Sequence, residues 1–204
     1  MLRPALALLR AAFALLALAA ITVQLLDLAG KGTLDPVNYF SYFTIQSNLT
    51  GVAALLWAAS RWRGDRSATL DWFRGAAVVY LTVTLIVFAL LLSGTDVDTA
   101  IPWVDTVLHR VMPVVLIVDW LIDPPLVRLT ARRALAWLIY PLAWTAYTLV
   151  RGAIVGWYPY PFLDPANGGY GRVALYVCVI LVGGTLLCLL VAGVGNALRR
   201  RLSG

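Results

Sequence analysis

The chain contains a single histidine, His109, and an aspartate lies four residues before it. Residues four apart share one face of a helix, so the Asp105 carboxylate and the His109 imidazole are expected to be within reach of each other. A carboxylate in that position fixes the imidazole tautomer and supports a general base. Pro113 has no N–H for the His109 carbonyl four residues before it, which predicts a helix kink and a free carbonyl here.

A second polar face is predicted between residues 39 and 49, where the chain reads YFSYFTIQSNL. Ser41, Thr44 and Asn48 fall on one face of a helix by their three- and four-residue spacing. Thr44 is the candidate nucleophile, because a hydroxyl beside a base can attack a carbonyl carbon. Asn48 or Gln46 is the candidate oxyanion donor, although Gln46 lies about 200° round the helix from Thr44.

A third set of polar residues is suited to an anion such as a substrate carboxylate. Tyr147 and Arg151 share a helix face by their spacing of four, and Arg110 is a further cation. Arginine can grip a carboxylate with two hydrogen bonds, and the alternative for both arginines is snorkelling to the membrane surface. Asp119 is predicted about 24 Å below the outer surface for a rise of ~1.5 Å per residue, so it and Asp123 belong to the inner side.

Membrane helices are the elements that must hold these groups. Hydrophobic residues make up 61% of the 204 residues and charged residues 13%, against about 45–50% and about 25% in soluble domains. Mean hydropathy is +0.84. A membrane span needs about 20 mostly apolar residues. The predicted fold is an all-α polytopic membrane protein with one transmembrane domain over residues 1–204, a bundle of six spans at about 11–28, 39–59, 75–92, 103–122, 134–153 and 173–197.

The positions of the basic residues predict the orientation of the bundle. With six spans, twelve of the sixteen Lys and Arg residues fall on one side, which is therefore cytoplasmic. Both termini are then inside, in a multi-pass protein of the inner (plasma) membrane. Thr44 and His109 lie five and six residues below the outer surface, roughly 7–9 Å at ~1.5 Å per residue. The aromatic loop 158–162 is expected to be a lid or an anchor at that surface.

Composition also argues against several classes of function. The net charge is +6, but the basic residues lie between apolar stretches and form no patch with interleaved aromatic residues, so nucleic acid is not a predicted partner. Cys178 and Cys188 offer no metal-ligand spacing, and one histidine cannot supply the several axial ligands of a membrane haem protein. The sequence predicts neither a metal nor another cofactor.

Several stretches resemble known proteins: residues 40–49, 108–125 and 137–165, and the Gly-Tyr-Gly at 169–171. They are similar to a bacterial family of six-helix membrane proteins of unassigned function. More distantly, the pattern resembles the androgen-induced and androgen-dependent integral membrane hydrolases of animals, which cleave fatty acid esters of hydroxy fatty acids with a membrane-embedded Thr and His. Thr44 matches the position of that Thr, and His109 matches the His.

The resemblance implies hydrolysis of a fatty-acyl ester that reaches the site from the bilayer. His109 would take the hydroxyl proton as Thr44 attacks the ester carbonyl, with Asp105 orienting the imidazole. The alternative is a membrane protein that binds or transports a lipid or small amphiphile through the same polar pocket without a covalent step. A threonine in a membrane helix also commonly bonds its own helix or a neighbouring one.

Overall fold

The structure of the chain, a computed structural model, describes residues 2–64, 66–92 and 101–202. Within those ranges all regular secondary structure is helical, which confirms the all-α prediction. Two π-helical turns, Phe88–Leu92 and Val107–Val111, extend or join longer helices. The α-helices are α1 (Leu2–Gly30), α2 (Pro36–Ser41), α3 (Phe43–Ser60), α4 (Ala68–Val87), α5 (Pro102–Thr106), α6 (Met112–Ile122), α7 (Ala131–Leu135), α8 (Ile139–Val155) and α9 (Gly169–Leu202).

Four helical stretches in the described part of the chain are long and apolar enough to cross a membrane: Arg3–Gly30, Ala68–Leu92, Ala131–Val155 and Gly169–Arg201. They coincide with the first, third, fifth and sixth predicted spans. The other two, 39–59 and 103–122, are largely helical but more polar; the latter carries three charged residues. Membrane-spanning character is therefore supported for four of the six stretches, while the six-span topology and the cytoplasmic termini remain predictions.

The helix predicted over residues 39–59 is interrupted at Tyr42, so the prediction of a continuous helix is wrong there. Tyr42 has extended dihedral angles, φ −64° and ψ 128°, and separates the short helix α2 from α3. Its ring packs edge-on against the rings of Trp157 and Tyr160. The interruption makes Thr44 the second residue of α3, where a backbone N–H has no partner inside its own helix.

His109 lies in the π-helical turn Val107–Val111, which accommodates the kink predicted from Pro113. The Met112 N–H donates to the Val107 carbonyl, five residues back. In that register Pro113 also leaves the Leu108 carbonyl, five residues before it, without a backbone donor; the free carbonyl at His109 stays a prediction. Such π turns are rare and often occur at functional sites.

α4 is the central helix of the bundle. In the most apolar 18 residues of the Ala68–Leu92 stretch, 61% is buried, compared with 11% in the corresponding part of the Ala131–Val155 stretch. Gly75 allows the close approach of a large aromatic ring, since a Cβ there would lie 2.4 Å from Cζ2 of Trp137. The buried Trp137 donates its indole N–H to the Trp72 carbonyl, also on α4. Close packing on α4 thus fixes the start of the fifth predicted span.

Six acidic and basic side chains, four of them buried and two half-buried, form a cluster about 15 Å from His109 along the same helical run, at ~1.5 Å per residue. Asp119 accepts from Arg10 Nε and Arg74 Nη2, each at 2.6 Å. Asp123 lies 2.6 Å from Arg10 Nη2 and 2.5 Å from Arg66 Nη1. The three positive and three negative charges balance. We call this group the ion cluster: Arg10, Arg66, Asp71, Arg74, Asp119 and Asp123.

The ion cluster joins α1, α4 and the end of α6 to the loops beside them. Asp71 lies 2.6 Å from Arg66 Nε and accepts the Leu126 N–H at 2.6 Å. Burial alone would raise the pKa of Asp123, just beyond α6, but the guanidinium groups around it outweigh burial and lower that pKa. Asp123 is therefore ionised at neutral pH. Asp119 and Asp123 were predicted on the inner side, but the arginines that bind them were not predicted from the sequence.

We predict that Asp119→Asn destabilises the fold strongly, because it removes the charge that neutralises two buried guanidinium groups. Breaking one partner of a buried ion pair costs about 3–5 kcal/mol. The matched control is Asp27→Asn, which breaks an exposed pair with Lys31 and should cost no more than about 1 kcal/mol. Unfolding in detergent measures both; equal losses of stability would contradict the role of the ion cluster.

Candidate functional site

The structure brings the predicted hydroxyl and imidazole together. Thr44 Oγ1, at the start of α3, lies 3.2 Å from Nε2 of His109 in the π turn. Both residues are buried, with 6% and 5% of their surface exposed. Two residues that lie 65 positions apart in the sequence thus present their polar groups to each other at one level. Whether the pair carries out chemistry remains a prediction.

The imidazole of His109 is held on two sides. Its Nδ1 lies 2.9 Å from a carboxylate oxygen of Asp105 and 3.2 Å from the Asp105 carbonyl oxygen. The Phe88 ring stacks on the imidazole with centroids 4.2 Å apart and planes at 19°. Because both oxygens of Asp105 only accept hydrogen bonds, Nδ1 carries the proton in the neutral ring, and Nε2 is free to accept from Thr44.

Tyr160 is the site residue that sequence reasoning missed. Its hydroxyl lies 3.2 Å from both the backbone nitrogen and Oγ1 of Thr44. The Thr44 N–H, unpaired inside α3, donates to the phenol oxygen, which leaves the phenol proton for Thr44 Oγ1. Burial raises the pKa of Tyr160, and hydrogen bonds from the start of α3 only partly offset this. The phenol is thus a neutral donor at physiological pH.

The loop that carries Tyr160 was expected to be a lid or an anchor. Its central tyrosine is buried between α3 and the 3-10 turn Pro161–Leu163, and its ring stacks on Phe162 with planes at 4°. The role of the loop as a lid or an anchor stays a prediction. Gly152 of α8 leaves room for the neighbouring Tyr158, since a Cβ at Gly152 would lie 2.1 Å from Cε1 of that ring. The Tyr-Pro-Tyr-Pro sequence was the signal that could have identified Tyr160 as a site residue. Two prolines stiffen a segment and so help to fix the position of the side chain between them.

Asn48 positions the site and does not face a substrate. Its side-chain nitrogen donates to the Thr44 carbonyl at 2.8 Å and to the Leu108 carbonyl at 3.0 Å. The second bond satisfies the carbonyl that Pro113 cannot reach, so Asn48 joins α3 to the π turn. With both N–H groups used, Asn48 has none left for an oxyanion, and the predicted donor role does not fit this geometry.

The side chain of Gln46, the other predicted oxyanion donor, lies away from Thr44. Its nitrogen donates to the Phe40 carbonyl at 2.7 Å, and its oxygen accepts from the Tyr140 hydroxyl on α8. Gln46 therefore links α3 to α8. This placement does not support the oxyanion role.

The predicted anion-binding residues lie around α2 and have protein partners. Arg151 donates to the Asn38 side-chain oxygen at 2.6 Å and stands over the Trp157 ring. The Tyr147 hydroxyl lies 3.2 Å from Ser41 Oγ. The role of binding a substrate carboxylate remains a prediction for both α8 residues.

Arg110, the third predicted anion-binding residue, is exposed. Its guanidinium carbon lies 5.3 Å from the centroid of the Phe88 ring, the ring that also stacks on His109. Arg110 therefore helps to hold Phe88 in place.

An apolar cavity of ≈ 90 Å³ begins at Thr44 and Tyr160. Charged side chains are absent from its lining, which comes from α3, α4, α8, α9 and the loop before α9. No group of three or more His, Cys, Asp or Glu residues able to hold a metal ion occurs in the described ranges. The site thus consists of a hydrogen-bonded polar end and an apolar extension.

Comparison with known proteins finds no family that matches the chain, and no characterised protein or solved structure that is significantly similar to it. The resemblance noted in the sequence therefore remains an expectation.

We predict that neutral His109 is protonated on Nδ1, as the contacts with Asp105 require. Because the chain has one histidine, protein labelled with nitrogen-15 histidine gives a single pair of ring nitrogen resonances, whose couplings identify the protonated atom. Asp105→Leu should shift the tautomer population towards Nε2. A wild-type ring protonated on Nε2 would show that Thr44 has no base to accept its proton.

Proposed function

We propose that this chain is a membrane-embedded hydrolase of fatty-acyl esters, with Thr44 as nucleophile and His109 as general base. The observation that carries the proposal is the directed chain of hydrogen bonds from Thr44 Oγ1 to His109 Nε2 and from Nδ1 to Asp105. A hydroxyl is a weak nucleophile until a base removes its proton, and a third group that orients the base completes the arrangement known from hydroxyl-dependent hydrolases.

The proposed reaction has two steps. In the first, Thr44 Oγ1 attacks the ester carbonyl carbon while its proton passes to His109 Nε2; the tetrahedral intermediate then expels the alcohol, which takes that proton. In the second, water attacks the acyl–threonine ester, His109 accepts a water proton and returns it to Thr44 as the acyl group leaves as a free acid. Asp105 holds the imidazolium formed in each step.

Tyr160 is the group best suited to stabilise the developing oxyanion. Its neutral hydroxyl lies against Thr44 Oγ1, and the N–H groups at the start of α3 add a positive field at the same place. When the carbonyl oxygen becomes negative, the phenol proton and the Thr44 N–H are the nearest donors. Tyr160 thus takes the role of oxyanion donor that was predicted for Asn48 or Gln46.

The proposal includes the six-span topology with both termini in the cytoplasm of a multi-pass plasma-membrane protein. Two features support it. The ion cluster binds the beginning of α1 to the end of α6, as expected for helices that run in opposite directions. Three of the twelve arginines on the proposed inner side belong to the ion cluster, and the remaining nine still outnumber the four basic residues of the outer side.

The chemical test is covalent labelling by a fluorophosphonate probe in detergent. Wild type and Thr44→Ser should be labelled, whereas Thr44→Ala and His109→Ala should lose labelling at least about 100-fold, since each removes half of the activated nucleophile. Thr50→Ala is the matched control, because the Thr50 hydroxyl bonds the Gln46 carbonyl on the same helix.

Absence of labelling in a well-folded wild type, together with binding of a fatty-acyl lipid, would favour the alternative of a lipid-binding or transport protein. Labelling that survives in Thr44→Ala would move the nucleophile elsewhere.

We predict that Tyr160→Phe lowers kcat by about 10²–10³, the usual cost of one oxyanion donor. KM should change little, because the phenol acts on the transition state. Tyr158→Phe in the same loop is the control. The ratio of kcat values on a soluble chromogenic ester measures the effect, and equal kcat values for the two variants would remove Tyr160 from the mechanism.

A further inference from the structure

We infer that the apolar cavity beside Thr44 is a channel for the acyl chain of the ester, and that the chain enters it from the bilayer between α8 and α9. The inference rests on the proposed function, since it assigns the other end of the same substrate. The protein encloses the acyl chain of the substrate, whereas any charged group stays outside.

Two facing stripes form the outer part of the cavity. Both follow the three- and four-residue spacing of one helix face, so the cavity lies along the seam between two helices. They are Leu138, Pro141, Leu142 and Thr145 beside or on α8, and Val177, Ile180, Leu181 and Gly184 on α9.

Burial decreases along the cavity from the site outwards. Thr44 and Tyr160 at the inner end are buried, and so is Val79 of the central helix. On α9, Val177, Ile180 and Leu181 are half-buried and Gly184 is buried, whereas Leu142 on α8 is 44% exposed. The open end therefore lies at the outer surface of α8 and α9, where exposed apolar side chains such as Ile154 and Val179 are suited to lipid.

The lining hydroxyls away from the inner end bond the backbone of their own helices. Thr145 Oγ1 donates to the Pro141 carbonyl at 2.8 Å, and Thr84 Oγ1 donates to the Tyr80 carbonyl at 3.1 Å. Only the hydroxyls of Thr44 and Tyr160 are directed at each other and at His109. A ligand in the cavity thus meets hydrocarbon along its length and a reactive hydroxyl at its end.

The size of the cavity sets the length of chain that it holds. A water-sized group needs about 10–15 Å³ of such space, so ≈ 90 Å³ accommodates a chain of roughly six to nine such groups. Longer chains would extend through the opening into the bilayer. Because the lining has no charge, a charged head group or free carboxylate must remain outside the channel.

Two adjacent glycines of α9 provide a matched pair of variants. A Cβ on Gly184 would point into the seam, 3.4 Å from Leu138 Cδ2, whereas a Cβ on Gly183 would meet nothing within 4 Å. Gly184→Leu should fill the channel, and Gly183→Leu adds the same side chain on the outer surface. Both replace a helical glycine, so their effects on helix propensity are equal.

The test compares hydrolysis of p-nitrophenyl acetate with that of p-nitrophenyl decanoate. Gly184→Leu should lower kcat/KM for the decanoate at least about tenfold, since each buried methylene contributes roughly fourfold, and should leave the acetate rate within about twofold of wild type. Gly183→Leu should match wild type on both esters. Equal chain-length preference in the two variants would overturn the channel. If Gly184→Leu also loses the acetate reaction, Leu142→Trp at the exposed opening is the second variant. It should lower hydrolysis of the decanoate and leave hydrolysis of the acetate unchanged, and an equal effect on both esters would overturn the channel.

A binding measurement separates this inference from the hydrolase proposal. Thr44→Ala protein is irradiated with a diazirine-bearing methyl decanoate, a neutral ester, and the labelled residues are located by mass spectrometry. Labels on the two stripes that disappear in the Thr44→Ala, Gly184→Leu double variant support the channel. This holds even if the wild type hydrolyses no ester, a result that would end the hydrolase proposal and leave the channel standing. Labels confined to other surfaces would overturn the channel.

Discussion

The need to pair every polar group inside an apolar bundle is the constraint on which the rest of this structure depends. Unpaired polar groups in hydrocarbon cost several kcal/mol each, and an unpaired charge costs more. The chain meets most of this need at two separate levels, although Asn48 Oδ1 and Arg74 Nε are buried atoms there without a hydrogen-bond partner. At one level the ion cluster balances three arginines with three aspartates; at the other, hydroxyl, imidazole, carboxylate and phenol form a single hydrogen-bonded chain. The apolar residues between these levels need only to pack.

The two polar levels differ in what they leave free. In the ion cluster the charged groups are bound to one another, which ties α1, α4 and α6 together and favours a structural role. At the site, the groups bond in a sequence that ends on a hydroxyl beside an open cavity. The difference arises because His109, Thr44 and Tyr160 each both donate and accept, whereas arginine only donates and carboxylate only accepts.

Irregular backbone places the site. The interruption at Tyr42 leaves the first N–H groups of α3 without partners in their own helix. The π turn directs the His109 side chain towards the start of α3. Asn48 then bonds the carbonyl that the π turn and Pro113 leave without a donor. None of these irregular features has a simple sequence signature, because each depends on contacts with another helix or loop. By contrast, Asp105 and His109 are four residues apart on one helical run, and this local spacing was enough to predict their contact.

Residue patterns alone determined the helical class, the apolar stretches and the Asp105–His109 pair, because periodicity and hydropathy act over a few helical turns. Comparing depths along two predicted helices was also enough to suggest that Thr44 meets His109. Only the tertiary structure decided that Tyr160 reaches Thr44, that Asn48 and Gln46 are used elsewhere, and that buried aspartates bind Arg10 and Arg74. Those outcomes depend on which side chains from distant segments satisfy each other, and nothing in the local spacing specifies that choice.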